Sequence, residues 1–440
     1  MIKKLQNIVF AFCLLSFATA NAQVKTIEIA APNAAVSTFY NFETGIVKSD
    51  SVAKWDLAFM TGMDAGVRIN DLASLWQVPT KNIDDFGKPL DTAGISSWQS
   101  LYNSDTTFNI GAFNLGLDGF DSGTGDYGWG AYDMTSHGTL GTKLFVIKTT
   151  AGFKQITIES MLGGIYTFKF ANIDGTNPKT VEIDKKAFGN RMFVYYSLQA
   201  EKTHDREPDA ANWDLVWGKY IGRTPAPTGG FAWYSLTGMR QNVRPVSAGG
   251  SARITGGIRI AEVDSVQFAT VATPTNEKFG GKINEIGDDW KTFVNATFSY
   301  VYKPSIYFAQ KFDNKGIPSG DIYKLGFTSF SGGTRVSSTF SQEKVIVNSV
   351  EENPVLTNFA LYPSIANQGE NINLIYSAKA NDLAANFSIV NVLGETIAKY
   401  SFATNQDFKA VALPTQNMST GIYWVVFENQ KNSSIKFIVR

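Results

Sequence analysis

The stretches "KWDLAFMTG", from Lys54, and "NWDLVWGKY", from Asn212, carry the same Trp-Asp-Leu strand signal, with Trp55 and Trp213 158 residues apart. A single match of this kind is noise, but the chain around both repeats in order. "KTIEIAAPNAAVSTFYNFETG" from Lys25 is answered by "KTVEIDKKAFGNRMFVYYSLQ" from Lys179. "LFVIKTTAGFKQITIESMLGG" (144–164) is answered by "IYFAQKFDNKGIPSGDIYKLGFTSFSGG" (306–333), each a strand, a Gly-containing loop, a strand and a Gly-Gly turn. The offsets for Lys25/Lys179, Trp55/Trp213 and Phe145/Phe308 are 154, 158 and 163 residues. Ordered matches with a slowly drifting offset mean duplicated modules with loop insertions. In "WDLAF" and "WDLVW", alternation puts Trp55, Leu57 and Phe59, or Trp213, Leu215 and Trp217, on one face. Asp56 and Asp214 fall on the other, where a short acid accepts loop N–H groups.

The surrounding composition is that of strands. Phe 32, Tyr 17, Trp 9 and Gly 39 accompany short alternating runs such as "KLFVIKTT", "QITIES" and "IYTFKF", bounded by turn residues. No long stretch has helical periodicity. The N-terminus reads as a signal peptide over residues 1–22: Lys3 and Lys4, an apolar run from Ile8 to Ala20, then Ala20-Asn21-Ala22. Cleavage there removes Cys13, the only cysteine, so disulfides and thiolate metal sites are excluded. It leaves 37 basic against 39 acidic residues, no electrostatic footprint for nucleic acid, and no later apolar run of membrane-helix length. After an acidic, Pro-containing linker at 347–355, short alternating strands at 356–440 predict a small Ig-like β-sandwich.

Chemistry-bearing patterns are few. There is no H-E-x-x-H, G-x-S-x-G or phosphate-loop motif, and no pair of acids stands out for hydrolysis, so the chain reads as a binding protein and not an enzyme. Asp118, Asp121 and Asp126 lie among glycines but lack the closing acid of a calcium loop. His204, in the charged loop "EKTHDREPDAAN", reads as a solvated histidine. Trp129, Tyr132, Trp233 and Tyr234 are candidates for stacking on a glycan, and equally for the core.

Residues 356–440 resemble the type A sorting domain of the type IX secretion system of Bacteroidetes. The resemblance lies in Leu361-Tyr362-Pro363, Val392-Leu393-Gly394-Glu395, Met418 to Tyr423 and Lys436 to Arg440, with Ser364 where that family usually has Asn. It implies passage through the periplasm, handling by the type IX machinery, and release outside the cell or attachment to its surface. The duplicated part resembles the HmuY haem-binding family, through "KTIEIAA", "FYNFETGIV", "WDLAF", "GVRIN", "YGWGAYDMTSHG" and "LFVIKTTAGFKQITIES" in family order over 25–175. Residues 179–346 keep "KTVEI", "WDLVW" and the closing hairpin but no clear "GW…H" segment. The expected architecture is therefore all-β: HmuY-like antiparallel modules in tandem at 23–178 and 179–346, then the C-terminal sandwich.

The HmuY resemblance implies haem held by one or two axial side chains in an apolar slot. Counting from Gly128-Trp129 puts Met134 at the ligand position, whereas counting from the following strand favours His137. Trp129 and Tyr132 would pack on the porphyrin, and no second ligand is matched between Gly66 and Phe113. The alternative is a surface adhesive or polysaccharide-binding protein on the same fold without haem.

Overall fold

The computed structural model describes residues 24–440 apart from 63–64, 118–123, 227, 248–252, 265, 314–315, 346–355, 379, 382, 406 and 428–433. The signal segment, the linker, Asp118 and Asp121 lie outside the described residues. Two compact units are present, Met1–Ile346 and Val347–Arg440. Both are all-β, and among the described residues no helical turn exceeds four residues.

The first copy of the repeat runs β1 (Lys25–Pro32), β2 (Val36–Asn41), β3 (Gly45–Ser51), β4 (Leu57–Met60), β5 (Val67–Ile69), β6 (Ser74–Asn82), β7 (Ser100–Leu101), β8 (Gly130–Asp133), β9 (Gly138–Gly141), β10 (Lys143–Thr149), β11 (Gly152–Leu162) and β12 (Ile165–Asn172). The second runs β13 (Lys179–Asp184), β14 (Phe193–Ser197), β15 (Lys202–His204), β16 (Leu215–Pro225), β17 (Phe231–Gln241), β18 (Val243–Ser247), β19 (Arg253–Val263), β20 (Lys291–Val294), β21 (Ser299–Tyr302), β22 (Ile306–Phe312), β23 (Pro318–Ser331) and β24 (Arg335–Val345). Both copies build the same pair of sheets. One large sheet is β13-β12-β11-β10-β6-β7, with β9 on β11 and β8 on β9, and its counterpart is β1-β24-β23-β22-β19-β18. The small sheets are β15-β14-β4-β5 and β17-β16-β2-β3.

These orders correct the expectation of tandem modules divided at 178/179. β13 of the second copy closes the first copy's sheet against β12, from Ile165↔Asp184 to Phe170↔Lys179. β1 of the first copy closes the second copy's sheet against β24, from Lys25↔Gln342 to Pro32↔Arg335. β14 likewise pairs with β4, and β16 with β2. The opening three strands of each copy thus belong to the other copy's body. An alternating strand specifies which face is buried but not which strand lies beside it, so this exchange leaves no trace in the pattern of any one strand.

Three cores follow. Leu57, Phe59, Trp129, Phe145, Phe168 and Tyr196 fill one body, and Tyr40, Leu215, Trp217, Trp290, Tyr307 and Phe340 fill the other. Between the small sheets, Phe39, Trp55, Ala58, Met60, Phe193, Tyr195, Trp213 and Val216 form a third. Both faces of β4 are therefore buried. Trp55 does not share the face of Leu57 and Phe59: it precedes the strand and joins Trp213 in the middle core.

Asp56 and Asp214 clasp the exchange. Asp56 Oδ2 accepts the Leu198 N–H at 2.7 Å, and Asp214 Oδ2 accepts the Phe42 N–H at 2.8 Å. The backbone N–H groups of the same aspartates donate to the Tyr196 and Tyr40 carbonyls, each at 2.8 Å. Asn70 and Asn242 complete the pair: each donates its N–H to the Asp56 or Asp214 carbonyl at 2.8 Å, and its side-chain amide to the Trp55 or Trp213 carbonyl at 2.6 or 2.7 Å. The repeated Trp-Asp-Leu is therefore a core anchor, a carboxylate clasp and a strand in one motif. His204 is half-buried, with Nε2 2.5 Å from Asp50 Oδ2 across the exchange, and not the solvated residue its loop suggests.

The middle core also buries charge. The Arg206 guanidinium lies over Tyr195, Trp55 and Phe39 at 4.9, 5.1 and 5.2 Å and donates to the Tyr195 hydroxyl at 3.0 Å. That hydroxyl donates to Glu207 Oε2 at 3.0 Å, and Oε1 accepts the Phe193 N–H at 2.8 Å. Arg68, also buried, donates to the carbonyls of Ser104, Thr107, Phe108 and Ile110. Burial pushes the Glu207 carboxyl up to about 7, against the lowering pull of its hydrogen bonds and of Arg206.

In the C-terminal unit, β25 (Leu356–Tyr362), β27 (Asn371–Ala378) and β30 (Lys409–Pro414) form one sheet. β26 (Ile365–Ala366), β28 (Ala384–Asn391), β29 (Thr396–Ala403), β31 (Gly421–Phe427) and β32 (Ser434–Val439) form the other, in the order β26-β32-β31-β28-β29. Ile372, Leu374, Phe387, Ile389, Val425 and Phe437 fill the space between. The terminal strand is held at its end: Arg440 N–H donates to the Ala366 carbonyl, and the Gln368 N–H to the Arg440 carbonyl, each at 2.9 Å.

Trp55→Ala and Trp213→Ala should each cost about 3–5 kcal/mol in denaturant unfolding, and each should loosen both copies, because the two rings share one core. A loss of hydrogen-exchange protection confined to one copy would contradict this. Glu207 has a folded pKa near 7 above its ordinary 4.5, so its stabilising contribution is full below that ordinary value and is lost as pH rises through about 7. Glu207→Gln should therefore gain thermal stability relative to wild type between pH 4.5 and 8. A pH-independent difference would sink this assignment.

Candidate functional site

The residues singled out for haem lie on one of two hairpins at equivalent places. β8–β9 is rooted on Trp129, fully buried, whose carbonyl accepts the Thr142 N–H at 3.1 Å. β20–β21 is rooted on Trp290, equally buried, whose carbonyl accepts the Lys303 N–H at 2.8 Å. The registers match, Asp133↔Gly138 and Val294↔Ser299, and the turns end on left-handed residues, His137 (φ 53°) and Phe298 (φ 49°). The second copy thus retains the hairpin that seemed missing, with Phe298 in the place of His137. The available signal was the common Trp-x-x-aromatic spacing, Trp129/Tyr132 and Trp290/Phe293.

Tyr132, Met134 and His137 meet at an open tip. Met134 is 78 % exposed, His137 is exposed, and His137 Nδ1 lies 3.2 Å from the Tyr132 hydroxyl. Trp129 faces the other way: it is in the core, donating from Nε1 to the Ala65 carbonyl at 2.9 Å, and cannot pack on a porphyrin. Axial ligands need an apolar slot around them. These four residues do not form one, since two candidate ligands stand in solvent three residues apart and the large ring points inward.

The larger departure between the copies is elsewhere. β4 and β5 pair over three residues, Leu57↔Ile69 to Phe59↔Val67. Their equivalents β16 and β17 pair over eleven, Leu215↔Gln241 to Pro225↔Phe231, although only Leu215, Val216 and Trp217 have β2 on the other side. The outer part of this ribbon is an extension that the first copy folds without. It carries Phe231 (71 % exposed) and Tyr234 (66 % exposed), with Trp233 half-buried between them. Cross-strand neighbours share a face, so Trp233 stands beside Arg223, and Tyr234 lies opposite Gly222, which has no side chain to cover the ring.

The base of the extension is fixed from below. Tyr102 stacks on Trp233 with ring centres 4.7 Å apart and planes 20° apart. Arg223 makes a two-pronged pair with buried Asp105, Nη2 to Oδ1 at 3.0 Å and Nε to Oδ2 at 3.2 Å, and its backbone N–H adds a third bond at 3.0 Å. The guanidinium also lies 5.7 Å from the Trp233 ring. This two-pronged pairing fixes the guanidinium plane, so the aromatic strip is held before any ligand arrives.

Residues 360–440 match the family described as a secretion system C-terminal sorting domain. The match covers the terminal sandwich and does not extend to the duplicated unit, whose likeness to the haem-binding family rests on sequence motifs alone. No curated protein matches the chain. With the type IX sorting tail in place, the chain is an exported or cell-surface protein of the Bacteroidetes type. Among the described residues, no helix is long and apolar enough to cross a membrane.

Mutating Asp105 should release the strip without unfolding the body. Asp105→Asn should quicken amide exchange across 222–234 while leaving β10–β12 protected. Unchanged exchange in the extension would show that Tyr102 and the ribbon itself suffice.

Proposed function

We propose that the protein binds extended polysaccharide outside the cell through the strip of Phe231 and Trp233, with Arg223 as its polar partner on the same face of the ribbon. The observation that carries this reading is the asymmetry of the repeat. The first copy folds without a counterpart of the β16–β17 extension, yet the extension holds large rings in solvent and braces Trp233 with Tyr102 and the Arg223–Asp105 pair. Flat aromatic faces suit the C–H faces of pyranose rings, and a fixed guanidinium supplies donors for hydroxyl groups. A strip along a strand, rather than a closed pocket, suits a chain of sugars. The sorting domain agrees with this site of action, because such a binder meets its ligand only after export.

Affinity electrophoresis and calorimetry against neutral plant and bacterial polysaccharides test the reading. Phe231→Ala and Trp233→Ala should each weaken binding by about 0.5–1.5 kcal/mol, roughly 2- to 10-fold, while Tyr234→Ala, on the opposite face, and Met134→Ala and His137→Ala leave it unchanged. Full binding by the Phe231→Ala, Trp233→Ala double variant would refute it. Export is tested separately. Removing residues 356–440 should leave unit 1 folded but retained in the periplasm, and equal appearance of the truncated chain in the medium would contradict that.

A further inference from the structure

The body of the second copy holds a cavity beside Asp214. It has a volume of about 240 Å³ and lies where the loop after β2 meets β22 and β23, with Asp214 in its wall. The register of β22 on β23 shapes its wall. In the first copy β10 and β11 run in register to their turn, Ile147↔Lys154 to Thr149↔Gly152. In the second, pairing jumps from Gln310↔Ile322 to Lys311↔Ser319, and Gly320 takes a φ of 73° within the bulge. Such bulges bend a strand and re-aim its side chains. Here Lys311 is brought to Asp214, its ammonium 3.6 Å from Oδ1.

The two aspartates are also satisfied differently. Asp56 Oδ2 takes both the Leu198 N–H and the Ser197 hydroxyl, the latter at 3.5 Å. Asp214 is 2 % exposed, spends Oδ2 on the Phe42 N–H, and has no hydrogen bond at Oδ1. A buried carboxylate oxygen left in this state costs free energy unless something completes it. Lys311 is half-exposed, so its ammonium has donors to spare. Phe42 and Tyr323 stack with ring centres 4.8 Å apart and planes 20° apart, giving the cavity an aromatic wall. Glu43, exposed at the rim, is 3.4 Å from the Tyr323 hydroxyl.

We infer that this cavity binds a single neutral sugar residue, with one hydroxyl donating to Asp214 Oδ1 and accepting from Lys311, and the ring lying against the Phe42–Tyr323 wall. The carboxylate and ammonium neutralise each other, so the floor selects neither anion nor cation. Adjacent acceptor and donor suit a hydroxyl, which needs one of each. Asp321 is paired with Lys344 at 2.5 Å, which leaves Glu43 as the carboxylate at the rim that disfavours acidic sugars. The site stands on the cavity's own chemistry and is separate from the Phe231–Trp233 strip.

Saturation-transfer NMR and calorimetry on the full chain, with D-glucose, D-galactose, D-mannose, L-fucose and D-glucuronate as probes, test the site. At least one neutral sugar should bind saturably. Lys311→Met, at a half-exposed position, should keep the melting temperature and weaken that binding at least tenfold. Asp214→Asn, which keeps an oxygen for the Phe42 N–H, should do the same if it folds. D-glucuronate should not compete. Trp233→Ala should leave monosaccharide binding intact even where it abolishes polysaccharide binding, so the two sites fail separately. No saturable neutral sugar, equal binding by Lys311→Met, or equal competition by D-glucuronate would each overturn the inference.

Discussion

Each half of the duplicated unit is held by a carboxylate that belongs to one copy and caps a backbone N–H of the other. Asp56 on Leu198 and Asp214 on Phe42 fix the places where exchanged strands turn into the body that receives them. The large sheets close only because β13 and β1 arrive from the other copy, and the middle core exists only because the small sheets face each other. Removing either aspartate would leave a buried N–H without a partner at such a turn, where it costs more than a surface hydrogen bond contributes. The exchange also sets the folding problem. β1 leaves the signal segment first, yet its partner β24 is the last strand of the unit. Contacts between distant parts of a chain close slowly, so the N-terminal strand completes a sheet that the rest of the unit must already have built.

Much of this was legible in the sequence. Strand-rich composition, the ordered repeat and the terminal motifs gave an all-β chain ending in a sandwich, because each depends on local alternation and turn chemistry. The exchange was not legible. "KTIEI" and "KTVEI" alternate identically whether they close their own sheet or the other copy's, and only long-range packing distinguishes the two. Trp55 misled for a related reason: alternation was counted through a residue that lies before the strand, and both faces of that strand are buried. His204 looked solvated because its neighbours in sequence are charged, whereas its partner in space, Asp50, comes from the other copy.

The candidate sites divide along the same line. Trp129 was a candidate ligand contact and is a core anchor, while Tyr132, Met134 and His137 do gather, but at an open hairpin tip. Trp233 and Tyr234 were legible as aromatic residues with two possible fates. What decides between those fates is how far β16 outruns its partner β2, which is a matter of sheet extent and not of residue type. The Asp214 cavity was invisible for a third reason. It arises from a two-residue shift in register within β22–β23, and the alternation on either side is undisturbed.

Two separate chains exchanging their first three strands would build this same body as a twofold dimer. In that assembly every insertion appears twice, on both faces, and a change that suits one face burdens the other. Joining the copies through β12 and β13 lifts the symmetry while keeping the packing it produced. One face can then lengthen a ribbon and open a register shift, while the other keeps the short hairpin and the in-register strands. The covalent link is thus a licence for division of labour between two surfaces that share one core.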